Sequence, residues 1–157
     1  MAIEIERKFL VNGEYRSFAI RQQHVVQGYL SSVSERSVRV RIIDEKAFIT
    51  VKGESSNKGT SRFEWEKEIT LTEAEALLKI CEPGIIEKYR FIIPEKSGLF
   101  YEVDVFFGDN KGLIVAEIEV PYEDYQISKP DWLGKEVTGD IRYYNAFLSS
   151  NPFCKWK

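Results

Sequence analysis

Like-charged residues two positions apart recur along this chain, each pair inside a segment that alternates polar with apolar residues. Arg39 and Arg41 form one such pair, followed by Glu64 and Glu66, Lys88 and Arg90, Glu102 and Asp104, and Glu117 and Glu119. The first segment, residues 3–9, follows the same plan with three charges. Successive side chains of a strand point to opposite faces, so Glu4, Glu6 and Lys8 share one face. Ile3, Ile5 and Phe9 share the other, a row that only Arg7 interrupts. A sheet built from such strands has one charged face and one apolar face, and the fold must find a use for both.

The remaining elements follow from the same periodicity. Strands are predicted over residues 25–30, 37–43, 46–52, 62–71, 86–93, 99–107 and 112–121, making eight with the first. On the second strand Val25, Gln27 and Tyr29 share a face, and on the fourth Thr50 lies beside Lys52. Asn12-Gly13 is a turn, residues 14–20 read as a short helix, and Asp44-Glu45 closes a hairpin. Residues 53–61, rich in Gly, Ser, Asn and Lys, read as a mobile loop. Thr72 with Glu75 three residues on reads as a capping box, opening a helix whose apolar side is Ala76, Leu77, Leu78 and Ile80 and which Pro83-Gly84 ends. A last helix is expected over residues 140–149, with Ile141, Tyr144, Phe147 and Leu148 packed on the outside of the sheet.

Mostly short connections make the sheet largely antiparallel, and 157 residues suffice for a single domain spanning 1–157 with a real core. A net charge of -3 argues against a nucleic-acid binder. No stretch has the length and apolarity of a membrane span, and the N-terminus lacks the apolar run of a signal peptide. Cys81 and Cys154 match no metal or redox spacing, so the expected setting is a reducing cytoplasm.

Eight strands admit two architectures. In one, the apolar faces enclose the core and the charges are solvated, the usual fate of charged strand residues. In the other, the sheet closes into a barrel whose lumen takes the charges, with helices covering the apolar exterior. Same-sign neighbours roughly 7 Å apart repel. A solvated face has little reason to repeat that pattern, whereas a site gripping polyanions with Arg and Lys and metals with carboxylates has a direct one.

The ordered set resembles the triphosphate tunnel metalloenzymes, also called the CYTH superfamily. The Glu-x-Glu-x-Lys signature stands as Glu4, Glu6 and Lys8, followed by Gln27-Gly28-Tyr29-Leu30, Arg39-x-Arg41, Lys52 and the later charged pairs. Gly134 to Thr138 and Tyr144-Asn145 with Leu148 also look like small bacterial members, so the resemblance covers essentially the whole chain. It implies an α+β fold, a closed eight-stranded antiparallel β-barrel with a charged lumen and helices packed outside, acting on triphosphates with Mg²⁺ or Mn²⁺.

The resemblance assigns Glu4, Glu6, Glu117 and Glu119 to the metal, since hard cations prefer carboxylate oxygen. Arg39, Arg41, Lys52, Lys88 and Arg90, with Lys8, are the triphosphate ligands, and ion pairs to facing carboxylates are their other use. Lys8 and Tyr29 are the expected activators of the attacking water, because a nearby cation favours phenolate. A metal-bound water serves the same purpose, which leaves Lys8 as a phosphate ligand and Tyr29 as a hydrogen bonder in the lumen. Glu64, Glu66, Glu102 and Asp104 are supporting acids that hold a second metal or orient the cations.

The expected activity is metal-dependent hydrolysis of inorganic tripolyphosphate to pyrophosphate and phosphate, because little chain remains for a base pocket. A class IV-type adenylyl cyclase, a thiamine triphosphatase and a non-catalytic polyphosphate-binding module are the alternatives. The expected partner is a small-molecule triphosphate, with a homodimer left open. His24, the only histidine, is read as structural, and Phe9, Phe63, Trp65 and Phe91 as packing residues.

Overall fold

The computed structural model describes residues 2–54 and 61–156. Alternation produces strands where it was expected: β1 Ala2–Val11, β2 Arg21–Ser31, β3 Arg36–Ile43, β4 Lys46–Gly53, β5 Ser61–Ile69, β6 Ile86–Pro94, β7 Phe100–Phe106 and β8 Ile114–Glu119. A short ninth strand, β9 Leu133–Glu136, was not expected, because Leu-Gly-Lys-Glu carries no alternation. Every pairing is antiparallel, in the order β5-β4-β3-β2-β6-β7-β8-β1-β9. The β1–β5 pairing, with Ala2 opposite Glu64 and Ile5 opposite Ser61, closes strands 1 to 8 into a barrel.

Closure settles which face is inside. Phe9, Phe91, Ile93, Tyr101, Val103, Ala116 and Ile118 form one buried cluster on the outer face, capped by Tyr15 and Trp132 from connecting segments. Edge-to-face rings tie this cap down, Tyr101 to Trp132 at 5.2 Å and Tyr15 to Phe91 at 5.6 Å. The Arg7 that interrupts the apolar row lies on this face, where its guanidinium makes two bonds (2.9 and 2.7 Å) to Glu136 of β9. Trp65, grouped with the packing residues by parity, is instead 45% exposed. His24 lies near the surface, 2.5 Å from Glu87.

Helix α1, Leu71–Leu78, covers the outer face of β2, β3 and β4. Its capping box starts two residues before the expected one: the Glu73 N–H donates to the Thr70 hydroxyl (3.1 Å), and the Thr70 N–H donates to the Glu73 carboxylate (2.9 Å). The helix therefore turns Ala74, Leu77, Leu78 and Cys81 toward Val40 and Ala47, at the i, i+3, i+4, i+7 spacing, and leaves Ala76 and Ile80 exposed. Thr70→Ala is expected to cost about 1 kcal/mol in urea unfolding, the worth of a lost cap. An unchanged midpoint would mean that packing alone holds the helix start.

The chain around residues 14–20 forms only a 3-10 turn, Arg16–Phe18. The last segment is a 3-10 turn, Ile141–Tyr143, followed by helix α2, Asn145–Ser150. It does not pack on the outside of the sheet. Leu148 and Tyr143 bury against Ile86, Phe106, Leu113 and Val115, with Leu10 beside them. On the strands these residues share the inward parity of the charges, so the terminal segment plugs one end of the barrel. Ile141 is exposed. Gly84 has φ +98°, and a Cβ there would stand 1.8 Å from the Ser149 carbonyl oxygen, so the plug seats against a position only glycine fills. Residues 55–60, the centre of the segment read as a mobile loop, lie outside the described residues. Among the described residues no helix is long and apolar enough to cross a membrane.

Candidate active site

Antiparallel register sets the inward-facing charges side by side around the barrel. Lys8 faces Glu117 and Glu6 faces Glu119 across β1–β8, and Glu102 faces Glu117 across β7–β8. On the opposite wall Tyr29 faces Arg39, Arg39 faces Thr50, and Thr50 faces Glu66. Lys52 faces Glu64 across β4–β5, and Glu4 faces Arg62 across β1–β5. Together they line a cavity of about 240 Å³. Its carboxylates are Glu4, Glu6, Glu64, Glu66, Glu102, Glu117 and Glu119, and its cations Lys8, Arg39, Arg41, Lys52, Arg62 and Arg90. Tyr29, Ser34, Ser37 and Thr50 add hydroxyls, while Tyr144, Asn145 and Ala146 bring the terminal plug to the same cavity.

Several of these charges pair across strands. The Lys52 ammonium lies 2.7 Å from Glu4 and 3.7 Å from Glu64, and Lys8 lies 2.9 Å from Glu117 and 3.5 Å from Glu6. Arg41 reaches Glu66 at 3.3 Å, an oxygen that also accepts from the Thr50 hydroxyl at 2.7 Å. Arg90 forms a two-pronged pair with Asp104, Nε to Oδ1 at 2.8 Å and Nη2 to Oδ2 at 2.9 Å, and lies 3.4 Å from Glu102.

The pairing is incomplete on both sides. Among the described residues the Nε atoms of Arg39 and Arg41 are buried without a hydrogen-bond partner, as are both amide ends of Gln27, which faces Arg41 across β2–β3. Burial, with Arg39 and Arg90 alongside, brings Arg41 down to about 9. On the acidic wall, burial and the neighbouring Glu117 push Glu6 up to about 7. Burial followed by Glu4 raises both Glu64 and Glu119. Two neighbours escape the crowding. Burial works against both charges of the Lys8–Glu117 pair, but the partners prevail. Glu117 and Glu6 hold Lys8 above the lysine range, and Lys8 and Arg90 hold Glu117 well below the carboxylate range. Lys8 is therefore a permanent cation.

Most of the expected site residues meet in this cavity, but Lys88 and Asp104 stand behind its wall. Lys88 is 0% exposed, with its ammonium 2.8 Å from Asp104 and donating to Asn145 at 2.9 Å. Burial brings it down to about 8 against the pull of Asp104. Asp104 is 1% exposed and serves both Lys88 and Arg90. The aromatic ring beneath the Lys8 ammonium belongs to Tyr144, 5.6 Å from its centroid. Among the lining groups outside the expected set, Arg62 shares the parity of Glu64 and Glu66, and Ser37 that of Arg39 and Arg41, so both were legible from it, whereas Tyr144 was expected on the outside of the sheet.

The chain and its fold have counterparts among known proteins. The family model of the CYTH domain matches residues 2–145. An inorganic triphosphatase of Acetivibrio thermocellus is 46% identical over 159 residues, spanning 100% of this chain and 99% of its own. One from Nitrosomonas europaea is 37% identical over 153 residues, spanning 93% of this chain and 96% of its own. A crystal structure of an inorganic triphosphatase, 33% identical and covering 95% of each chain, superposes with a TM-score of 0.67. A solved protein from Pyrococcus horikoshii, 23% identical and covering 77% of this chain and 80% of its own, shares the fold with a TM-score of 0.61. With the family model spanning nearly all of the barrel and relatives aligned from end to end, this chain belongs to the CYTH domain family.

Proposed function

We propose that this protein is a metal-dependent triphosphatase that hydrolyses inorganic tripolyphosphate to pyrophosphate and orthophosphate. The observation that carries this reading is the division of one cavity in the barrel into cations with buried, unpartnered nitrogens and carboxylates crowded above their ordinary range. An anion relieves the first group and a cation the second. At about 240 Å³ the cavity falls below the roughly 300–1,000 Å³ of pockets for drug-sized ligands, so it suits an inorganic triphosphate better than a whole nucleotide. The relatives named inorganic triphosphatase support the same substrate.

The lining suits a divalent metal. Seven carboxylates against six cations leave no positive surplus for a highly charged triphosphate, so neutralisation must come with the substrate. The donors are oxygens, the preference of Mg²⁺ and Mn²⁺. Among the described residues no three acidic, His or Cys side chains converge as a finished cage. That agrees with an ion held by one or two carboxylates together with substrate phosphates. One or two of Glu4, Glu6, Glu117 and Glu119 would hold it, and once bound it would supply charge neutralisation at the phosphoryl oxygens.

The chain's own groups do the rest. Arg39, Arg41, Lys52 and Arg90 grip phosphate oxygens and offset the charge that grows on the leaving pyrophosphate as the bridging P–O bond breaks. Lys8, locked as a cation by Glu117, stabilises negative charge beside the attacking water and does not accept its proton. Tyr29, in the same cavity, orients that water through its hydroxyl. Glu64, Glu66 and Glu102 orient the cations they face, while Asp104 and Lys88 brace Arg90 from behind. Two free cysteines, Cys81 and Cys154, suit the reducing cytoplasm.

The test is phosphate release from tripolyphosphate, thiamine triphosphate, ATP and pyrophosphate with Mg²⁺ and separately Mn²⁺, with cyclic AMP assayed from ATP. Tripolyphosphate is expected to be turned over fastest, and Glu6→Ala and Arg39→Ala to abolish turnover. Cyclic AMP from ATP would move the reading to a cyclase, and preferred thiamine triphosphate to a thiamine triphosphatase. Metal-dependent binding without any turnover would leave a binding module.

A further inference from the structure

We propose that Arg62, with the Ser37 hydroxyl, forms a further phosphate-binding subsite in the lumen, used by one phosphate of the inorganic triphosphate. This rests on the tripolyphosphatase reading and assigns part of that substrate to residues outside the Arg39, Arg41, Lys52 and Arg90 set.

Arg62 lines the cavity and is half-buried, on the same strand face as Glu64 and Glu66. Its neighbour across the β1–β5 ladder is Glu4, the obvious ion-pair partner. That carboxylate is already taken by Lys52 at 2.7 Å. Arg62 instead donates through Nε to the Gly53 carbonyl at 3.2 Å and through Nη2 to the Ser37 hydroxyl at 3.5 Å, both neutral acceptors. Ser37 is 4% exposed and lines the same cavity.

The difference from four of the five other cations of the cavity is energetic. Lys8, Lys52, Arg41 and Arg90 each have a carboxylate within ion-pair distance, so meeting a phosphate means sharing or breaking that contact. Among the described residues Arg62 gives up only a 3.5 Å contact to a hydroxyl, and its Nε bond to Gly53 keeps the guanidinium aimed while Nη2 turns to the ligand. A charge-assisted bond to phosphate is roughly twice as strong as the neutral one it replaces. Ser37 then donates its own hydroxyl proton to the same phosphate.

The experiment is steady-state hydrolysis of tripolyphosphate by wild type, Arg62→Gln, Arg62→Lys and Ser37→Ala, with melting temperatures of each measured with and without tripolyphosphate. Arg62→Gln is expected to raise KM about tenfold with kcat falling less than threefold, the signature of lost binding shared by ground and transition states. It should also lose most of the melting shift that tripolyphosphate gives wild type. Arg62→Lys, which keeps a point charge but not the fork, should fall between, and Ser37→Ala should raise KM about threefold. A KM within twofold of wild type in an Arg62→Gln protein that melts normally would overturn the subsite. Should Arg62→Gln fail to fold, unchanged KM in both Arg62→Lys and Ser37→Ala would overturn it equally. Wild type that binds tripolyphosphate without hydrolysing it would sink the activity while leaving the melting shifts to judge Arg62.

Discussion

Glu6→Gln is expected to melt higher than wild type at pH 7.5 without metal, and to hydrolyse tripolyphosphate ~100-fold or more slowly. The two effects share one cause. Burial and Glu117 raise the Glu6 carboxyl to about 7 in the folded protein, from an ordinary value of 4.5. A carboxyl raised in this way helps the fold when protonated and strains it when ionised. Its contribution is fully present below about pH 4.5 and is lost as pH rises through about 7. Glutamine carries no such charge. The stability gap between variant and wild type should therefore open from near zero at pH 4.5 to at most about 3 kcal/mol above pH 7.

Divalent metal should reverse the ranking. On the proposed reading, Mg²⁺ or Mn²⁺ should bind the folded wild type at the strained carboxylates and raise its melting temperature by mass action. Glu6→Gln, short of one ligand, should respond weakly. Melting curves from pH 4.5 to 8, with and without metal, read both parts together with phosphate release. Parallel pH profiles for variant and wild type would remove the strain argument. Wild-type turnover in the variant would remove Glu6 from the site.

Asp104→Asn is expected to destabilise the fold by about 3–5 kcal/mol, the cost of leaving buried charge without its partner. Asp104 accepts from Arg90 at 2.8 and 2.9 Å and lies 2.8 Å from Lys88, with both partners nearly sealed from solvent. Arg90 retains the half-exposed Glu102 at 3.4 Å, whereas Lys88 retains the Asn145 amide oxygen and the Phe106 ring, neither of which carries a charge. Glu102→Gln, by contrast, removes a screened contact and should cost under about 1 kcal/mol. Urea unfolding of the pair makes the comparison. Equal small losses would show that Asp104 is not what keeps the two buried cations in place.

The charged strand face and its contents were legible because side-chain alternation is local. Period two holds wherever the chain is extended, so Glu4, Glu6 and Lys8, or Glu117 and Glu119, declare a common face without reference to anything distant. The same rule would have found Arg62, two residues before Glu64. It could not separate Lys88 from Arg90, or Asp104 from Glu102. Those pairs share a face and differ only in depth, and depth depends on the terminal segment: Asn145 reaches Lys88, and α2 seats in the barrel end below it.

Trp65 and Arg7 show the same boundary from the outer side. Both carry outward parity, yet Trp65 is exposed while Arg7 finds Glu136 on a strand that has no periodic signal. Helix α1 was legible as a helix, but its register was misplaced by two residues, because Thr70/Glu73 and Thr72/Glu75 both satisfy the capping pattern. Burial of Ala74 against Val40 and Ala47 selected the first.

By itself, then, the sequence determined the strands, the two faces and the identity of most charges that meet, since these follow from spacing along an extended chain. The tertiary structure alone decided that the charged face is the interior, through the pairing of β1 with β5. It also decided which charges remain open to a ligand, through the plug and the cross-strand ion pairs. Those outcomes rest on contacts between segments far apart in the chain, which no local spacing encodes.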